Sequence, residues 1–271
     1  MATKTAAVKT KNEVAVTKDN LPSGALLAEM QKYANLGLSS DIEDNLVPLI
    51  YILQPLSPQV DKTDDRYIKG AEASDIWLKG AETELIKGDV GILFQLVWIE
   101  KVWIEWVPRD SGGGYVGVHE KLPDDAREVR DPQSKKVRFM RPNGNEVIHT
   151  RQHAGLVLTD DGEELEYVIP MSSSGHTASR GWMTDMRKVK MPDGSSCPIF
   201  GALWRLRTHA RKNNLGRWFT WDVEQEGFVP DLAALERGYK LHMAFAEKKK
   251  VAENPQHFEP AGSDDDDSKP M

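Results

Sequence analysis

LWRLRTHARKNNLGRWFTWDV, Leu203 to Val223, is the stretch whose reading decides the fold. Leu203, Arg205, Arg207, His209 and Arg211 hold alternate positions, with Trp204, Leu206, Thr208 and Ala210 between them. That period of two predicts a strand with one basic face and one largely apolar face. Asn213-Asn214-Leu215-Gly216 supplies residues that tolerate positive φ, which predicts a turn. Arg217 to Val223 is rich in aromatic residues and predicts the returning strand. The hairpin would set Arg205, Arg207 and Arg211 side by side. Such a row repels itself unless an anion covers it or carboxylates from elsewhere in the chain oppose it. The residues alone leave both readings open.

The surroundings sharpen the first of them. Arg180 to Trp221 holds nine Lys or Arg against two acidic residues, Asp185 and Asp193, a local charge of +7. The whole chain carries −7, so everything outside this stretch carries −14. Four of the eight tryptophans fall here, Trp182, Trp204, Trp218 and Trp221, with Phe200 and Phe219 beside them. Cations that track phosphates and flat rings that stack on bases of any sequence are what a single-stranded nucleic acid requires. The phosphate candidates are Arg205, Arg207, Arg211, Lys212 and Arg217, extended by Arg180, Lys188 and Lys190. The stacking candidates are Trp204, Trp218, Phe219 and Trp221. Period two sets Trp204 opposite to Arg205, so only some of these rings can face a groove and the others belong to a core.

Outward from the hairpin, strand signals dominate. Asp89–Val107 reads as one long bent strand or two strands joined by a bulge; Trp98, Trp103 and Trp106 within it read first as core and second as a stacking surface. Residues 46–54 form a continuous apolar run and predict a buried strand. Val137–Met140 with Glu146–Thr150, and Ala154–Leu158 with Leu165–Ile169, flank Asn/Asp-Gly turns and predict two hairpins. Residues 59–88 and 120–136 read as polar and irregular, and Pro108–Gly117, with three consecutive glycines, as a mobile loop or a close backbone approach to a ligand. Helices are predicted at Gly24–Asn35, in the second half of Ser172–Lys188, and from Asp231 to about Lys250 with an apolar stripe of Leu232, Leu235, Tyr239 and Met243. Residues 1–20 read as a disordered Lys-containing arm, 21–252 as one β-rich domain, and 253–271 as a disordered acidic tail with Asp264, Asp265, Asp266 and Asp267 in a row.

Chemistry has few footholds. A single cysteine, Cys197, excludes an internal disulfide and any multi-cysteine metal site, and it fits a reducing, cytoplasmic setting. No apolar run reaches membrane length. His149 and His153 stand four apart, but on a strand-like segment rather than a helix, and read as ordinary strand residues. Ser172-Ser173-Ser174-Gly175-His176 lacks a nucleophile elbow and reads as a helix start. No catalytic constellation assembles, so the expectation is a non-enzyme without cofactor or metal.

The stretches at 46–60, 103–117 and 168–186, the hairpin, and the aspartate tail together give a layout that resembles bacteriophage-type single-stranded-DNA-binding proteins. The resemblance implies a mainly β (α+β) fold, an OB-like barrel elaborated with flanking helices and disordered termini. It further implies a cytoplasmic role in phage or prophage DNA replication and recombination, possible self-association, and tail contacts through Asp264–Asp267 with other replication or recombination proteins. Here Ser268-Lys269-Pro270-Met271 follows the aspartates, whereas the familiar bacterial tails close on a hydrophobic pair. The expected function is sequence-tolerant, non-catalytic binding of single-stranded DNA. The alternatives are a strand-annealing recombinase and, from another class, a virion or assembly protein whose basic row meets acidic residues of a neighbouring subunit.

Overall fold

The computed structural model describes residues 46–79, 84–108, 111–130, 137–159, 164–214 and 216–253. The arm, the Gly24–Asn35 helix, the Asp160-Asp161 turn and the aspartate tail lie outside the described residues. The described residues are mainly β with two flanking α-helices. Its spine is a ribbon of two long antiparallel strands, β5 (Ile92–Trp106) and β9 (Glu146–Leu158), paired from Leu93↔Leu158 to Trp106↔Glu146. The expected bend in β5 is a bulge between Leu96 and Trp98. A bulge leaves a ladder group unpaired, and here His242 satisfies it: its Nδ1–H donates to the Val97 carbonyl at 2.8 Å. The two hairpins expected around residues 137–169 share the single strand β9, which pairs with β8 (Val137–Met140) at one end and with β10 (Glu164–Ser172) along most of its length.

Different partners flank the two halves of the ribbon. The first half of β5 pairs with β11 (Ala202–Asn213), which pairs with β12 (Gly216–Phe228), so the deciding hairpin forms and runs longer than its sequence pattern required. The second half of β5 pairs with β6 (Tyr115–His119), and β8 adds β7 (Arg127–Arg130), building a distal lobe. Pro108–Gly117 is therefore partly strand. Gly112, Gly113 and Gly114 carry φ of 106°, 68° and 128°, and a Cβ at Gly112 or Gly114 would meet nothing within 4 Å. Backbone conformation, rather than close approach of another group, accounts for these glycines.

In the body, the outer edges of β10 and β12 are both bound by the segment 46–54. This run is split at Pro48 into β1 (Leu46–Val47) and β2 (Ile50–Ile52). Leu49 bridges Val168 of β10, whose N–H donates to the Pro48 carbonyl at 2.9 Å. At the other edge the Gln54 side chain imitates a strand: its Nε2 donates to the Phe219 carbonyl at 3.0 Å, and its Oε1 accepts from the Phe219 N–H at 2.9 Å. The circuit β12-β11-β5-β9-β10-segment 46–54 thus returns to β12 as a small barrel, with β3 (Ile76–Leu78) and β4 (Glu84–Ile86) extending from β2. These last two strands, and β7, lie where the sequence reads as irregular; they are only three or four residues long, too short to show a period. Because Gln54 closes the circuit through a side chain, Gln54→Ala should cost about 1–2 kcal/mol in chemical denaturation; an unchanged midpoint would mean that the edge is held elsewhere.

Two apolar layers follow from strand alternation. The barrel interior holds Ile50, Ile76, Phe94, Leu96, Ile169, Met171, Trp204, Leu206 and Trp221, closed by Trp182 from α1 (Gly175–Lys188). The outside of the ribbon carries Val97, Ala154, Leu156 and Val168 with Leu49 and Trp77, covered by Leu241 and Phe245 of α2 (Leu232–Ala246). Helix α2 begins at Asp231, whose side chain caps it by accepting from the Ala234 N–H at 2.8 Å. Its buried face is Ala234, Gly238, Leu241 and Phe245, while Leu232 and Tyr239 from the expected stripe are exposed. The reason is proximity. A Cβ on Gly238 would lie 2.3 Å from Gln95 Nε2 and 3.1 Å from Phe200 Cβ. Only small residues fit at that crossing, and they carry little apolar signal. The three lysines after α2 pair with Glu120, Glu247 and Glu166 rather than standing free at the helix end. Among the described residues, no helix is long and apolar enough to cross a membrane.

Candidate nucleic-acid interface

Register places the cations of the β11–β12 hairpin in two zones. In the proximal zone Arg205 stands opposite Glu224 and Arg207 opposite Asp222. A bulge between Leu203 and Trp204 skews the pairs, so Arg205 Nε reaches Glu226 at 3.4 Å and Arg207 Nη1 reaches Glu224 at 3.3 Å. The carboxylates that neutralise these two arginines therefore come from the returning strand, one and three residues beyond the quoted stretch. Two of the three arginines in the row, Arg205 and Arg207, are therefore members of solvent-accessible ion pairs rather than open phosphate contacts, each pair worth about 0–1 kcal/mol.

The distal zone is different. Arg211 stands opposite Trp218 and Lys212 opposite Arg217, all three cations are exposed, and among the described residues no carboxylate pairs with any of them. His209 opposite Thr220 separates this zone from the paired one. The Arg217 guanidinium carbon lies 5.1 Å from the centre of the Phe219 ring, a cation–π contact that holds it beside an aromatic edge. Trp218 is half-buried on the Arg211 face, and its Nε1 is covered without a hydrogen-bond partner. The other two rings of the stacking set are core. Trp204 is 1% exposed and meets Trp182 edge-on at 5.9 Å between centroids, and Trp221 is 7% exposed in the same interior cluster. Alternation put Trp204 inside, as period two allowed; Trp221 lies on that same face because it is in register with Thr208. Trp218 and Phe219 are the partly exposed members of the set, and they lie on opposite faces: Trp218 stands beside Arg211, whereas Phe219 stands opposite Ala210 on the face of Lys212 and Arg217 and packs in part against the interior cluster.

The proposed extension of the track is exposed but partly engaged. Lys188 pairs with Asp185 at 2.8 Å, the Lys190 Nζ donates to Ser196 Oγ at 3.0 Å, and the Arg180 Nη2 donates to Thr177 Oγ1 at 3.3 Å. The candidate nucleophiles take ordinary roles. Burial pushes the Cys197 thiol up, away from thiolate, and its Sγ lies 3.4 Å from the Pro198 carbonyl. Ser174 sits at the start of α1 without a side-chain cap, and His176 Nε2–H donates to the His149 carbonyl at 3.0 Å. His153 is fully buried and stacked on Trp182 with an interplanar angle of 9°. Its Nδ1–H donates to the Ile169 carbonyl at 3.3 Å and its Nε2 accepts from Ser179 at 3.0 Å, and burial holds its pKa down at about 4, so the ring is a neutral core group. Among the described residues, no three His, Cys, Asp or Glu side chains are grouped as a metal ion would need.

One feature of the distal lobe gave no sequence signal. Glu105, 1% exposed at the end of β5, accepts from Asn145 at 2.6 Å, Arg141 at 2.8 Å, His119 at 2.8 Å and Asn143 at 3.4 Å. Arg141 also grips Asp125 at 2.9 Å. Burial alone would raise the Glu105 pKa, but the donors around it win and hold it down at about 2. This is a structural clamp that ties β6 and the β8–β9 turn to β5.

Residues 17–251 match the model of a family described as Pam3 phage gp34-like protein. No curated protein and no solved structure matches the chain.

Proposed function

The chain belongs to the Pam3 phage gp34-like protein family, and from that premise we propose that it is a non-catalytic phage protein that binds single-stranded DNA without sequence preference during replication or recombination. The observation that carries this reading is the distal half of the β11–β12 hairpin. Arg211, Lys212 and Arg217 lie exposed with no opposing carboxylate among the described residues, beside Trp218 and Phe219. Cations without partners track phosphates, and each face of the hairpin end pairs them with a half-covered ring, Trp218 with Arg211 on one and Phe219 with Lys212 and Arg217 on the other, which supports stacking at about 1–3 kcal/mol per base.

The test is intrinsic tryptophan fluorescence during titration with a short oligothymidine at low and then high salt. Quenching that weakens as salt rises, and that is lost in Trp218→Leu, is the expected result. A second reading, a virion or assembly protein, draws on the exposed valines of the distal lobe: Val116 and Val118 on β6, Val129 on β7 and Val137 on β8. Exposed apolar groups in one region mark protein contacts. No quenching and no salt-dependent affinity would sink the DNA reading and leave this one.

A further inference from the structure

The inward face of the β5–β9 ribbon changes character where it leaves the barrel. Inside, this face is Phe94, Leu96 and Ile99 on β5 and His153 on β9. One step further Lys101 stands directly opposite Arg151, and one step beyond that Trp103 stands opposite His149. Like charges facing each other across a strand pair are destabilising. The first turn of α1 overhangs the same place. The His176 ring lies 4.9 Å from the His149 ring, which lies 4.9 Å from Trp103, which meets Phe139 of β8 at 5.2 Å.

The guanidinium of Arg151 is the telling group. Its Nε is buried without a hydrogen-bond partner. Its Nη1 reaches only neutral acceptors, Ser179 Oγ at 3.3 Å and Met183 Sδ at 3.6 Å. Among the described residues Lys101 has no ion-pair partner, and no protein group bonds the His149 ring nitrogens. The carboxylates nearby are committed or distant. Glu105, two steps along the same face of β5, is held by its four donors. Asp185, at the far end of α1, pairs with Lys188. Glu128 lies exposed on β7, beyond β8. The β10 residues on this face, Ile169 and Met171, are apolar. A half-buried arginine normally has an anionic partner; this one faces a lysine, two imidazoles and, on α1, Arg180.

We infer that Lys101, His149, Arg151 and His176 form a second binding site, separate from the hairpin, for a phosphate group, with Trp103 as its aromatic wall. The guanidinium and ammonium supply charge-assisted donors, and protonation of His149 and His176 would add two more. Both histidines are held towards the neutral form, first by burial and then by the groups beside them, whose positive charge opposes a second one: Arg151 and Lys101 for His149, and the His149 ring, Arg151 and Arg180 for His176. A bound phosphate reverses those neighbours' effect and raises both pKa values. The phosphate can belong to a nucleic-acid backbone or to a free ion.

The experiment is an NMR titration of the histidine ring signals of the full chain against pH, alone, with inorganic phosphate, and with oligothymidine, at fixed ionic strength. Both additions are expected to raise the apparent pKa of His149 and His176 by about one unit. Lys101→Ser, an exposed change that leaves the core intact, should weaken the phosphate response about fivefold to tenfold, and Arg151→Gln should abolish it. A response to inorganic phosphate but not to oligothymidine keeps the site and assigns it to a small phosphate. Loss of oligothymidine binding in a hairpin variant, with the inorganic phosphate response intact, separates this site from the hairpin reading. No shift with either addition, or a shift untouched by Lys101→Ser and Arg151→Gln, overturns the inference.

Discussion

Glu105→Gln should unfold at lower denaturant by about 3 kcal/mol, even though the change conserves shape and lies far from the hairpin. The carboxylate is 1% exposed and accepts from four donors supplied by β6 and the β8–β9 turn. Removing one partner of a buried charged network leaves the others desolvated, which costs on the order of 3–5 kcal/mol. Proton linkage gives the same size. Glu105 has its pKa lowered from 4.5 to about 2, and at about 1.4 kcal/mol per unit the ionised form gains roughly 3 kcal/mol on folding. Because the folded value is the depressed one, this stability is fully present above pH 4.5 and is lost as pH falls towards 2. Thermal melts of the wild type should therefore lose stability across that window, and melts of Glu105→Gln should lose less. At neutral pH the variant's Tm should fall by about 6–12 °C. The loss should be local, with amide exchange accelerating first in β6 and the β8–β9 turn. A Tm within a degree or two of wild type would show that Arg141 and Asp125 hold the lobe without Glu105.

This clamp also marks a limit of what the sequence makes legible. Glu105 sits in the most apolar, most strand-like run of the chain, where a lone carboxylate looks like a solvent-facing position. Its donors lie 14 to 40 residues away, and only pairing of β5 with β6 and β9 brings them together. Periodic segments read well for the same reason that the clamp does not: their signal is local. The hairpin, the bulged β5, the β8–β9 turn and α1 all declare themselves within a dozen or so residues. Strands β3, β4 and β7 are too short for a period, and α2 packs through Ala234 and Gly238, whose importance comes from the closeness of β5. The interface shows both cases at once. Alternation identified a basic face and an apolar face correctly, and it placed Trp204 inside. Whether the basic face is open depended on Glu224 and Glu226, which lie just past Val223 and meet Arg207 and Arg205 only through the register. The Lys101–Arg151 pair is equally non-local, since 50 residues separate two positions that face each other across the ribbon.

Replacing Arg211, Lys212 and Arg217 together with serine should lower affinity for oligothymidine on the order of a hundredfold at low salt, with a similar loss on any other single-stranded sequence. The three side chains are exposed, have no ion pairs among the described residues and are at the far end of β11 and β12, so the fold should not change. If each contacts one phosphate, the slope of log affinity against log salt should flatten by about 0.7 per contact, roughly two in all. Arg205→Ser with Arg207→Ser is the matched control. Those arginines already face Glu226 and Glu224, so removing them deletes two cations and frees two anions beside the hairpin end. Their loss should weaken binding less than the distal triple, and the pairing predicts that adding Glu224→Gln and Glu226→Gln restores most of that smaller loss. The ordering of the two variants decides where the strand lies. If the proximal pair costs more than the distal triple, the ion pairs open to receive phosphate and the path runs along the whole row. If neither variant moves the affinity or its salt slope, the hairpin does not carry the nucleic acid, and binding seen with the intact chain must be assigned to another surface.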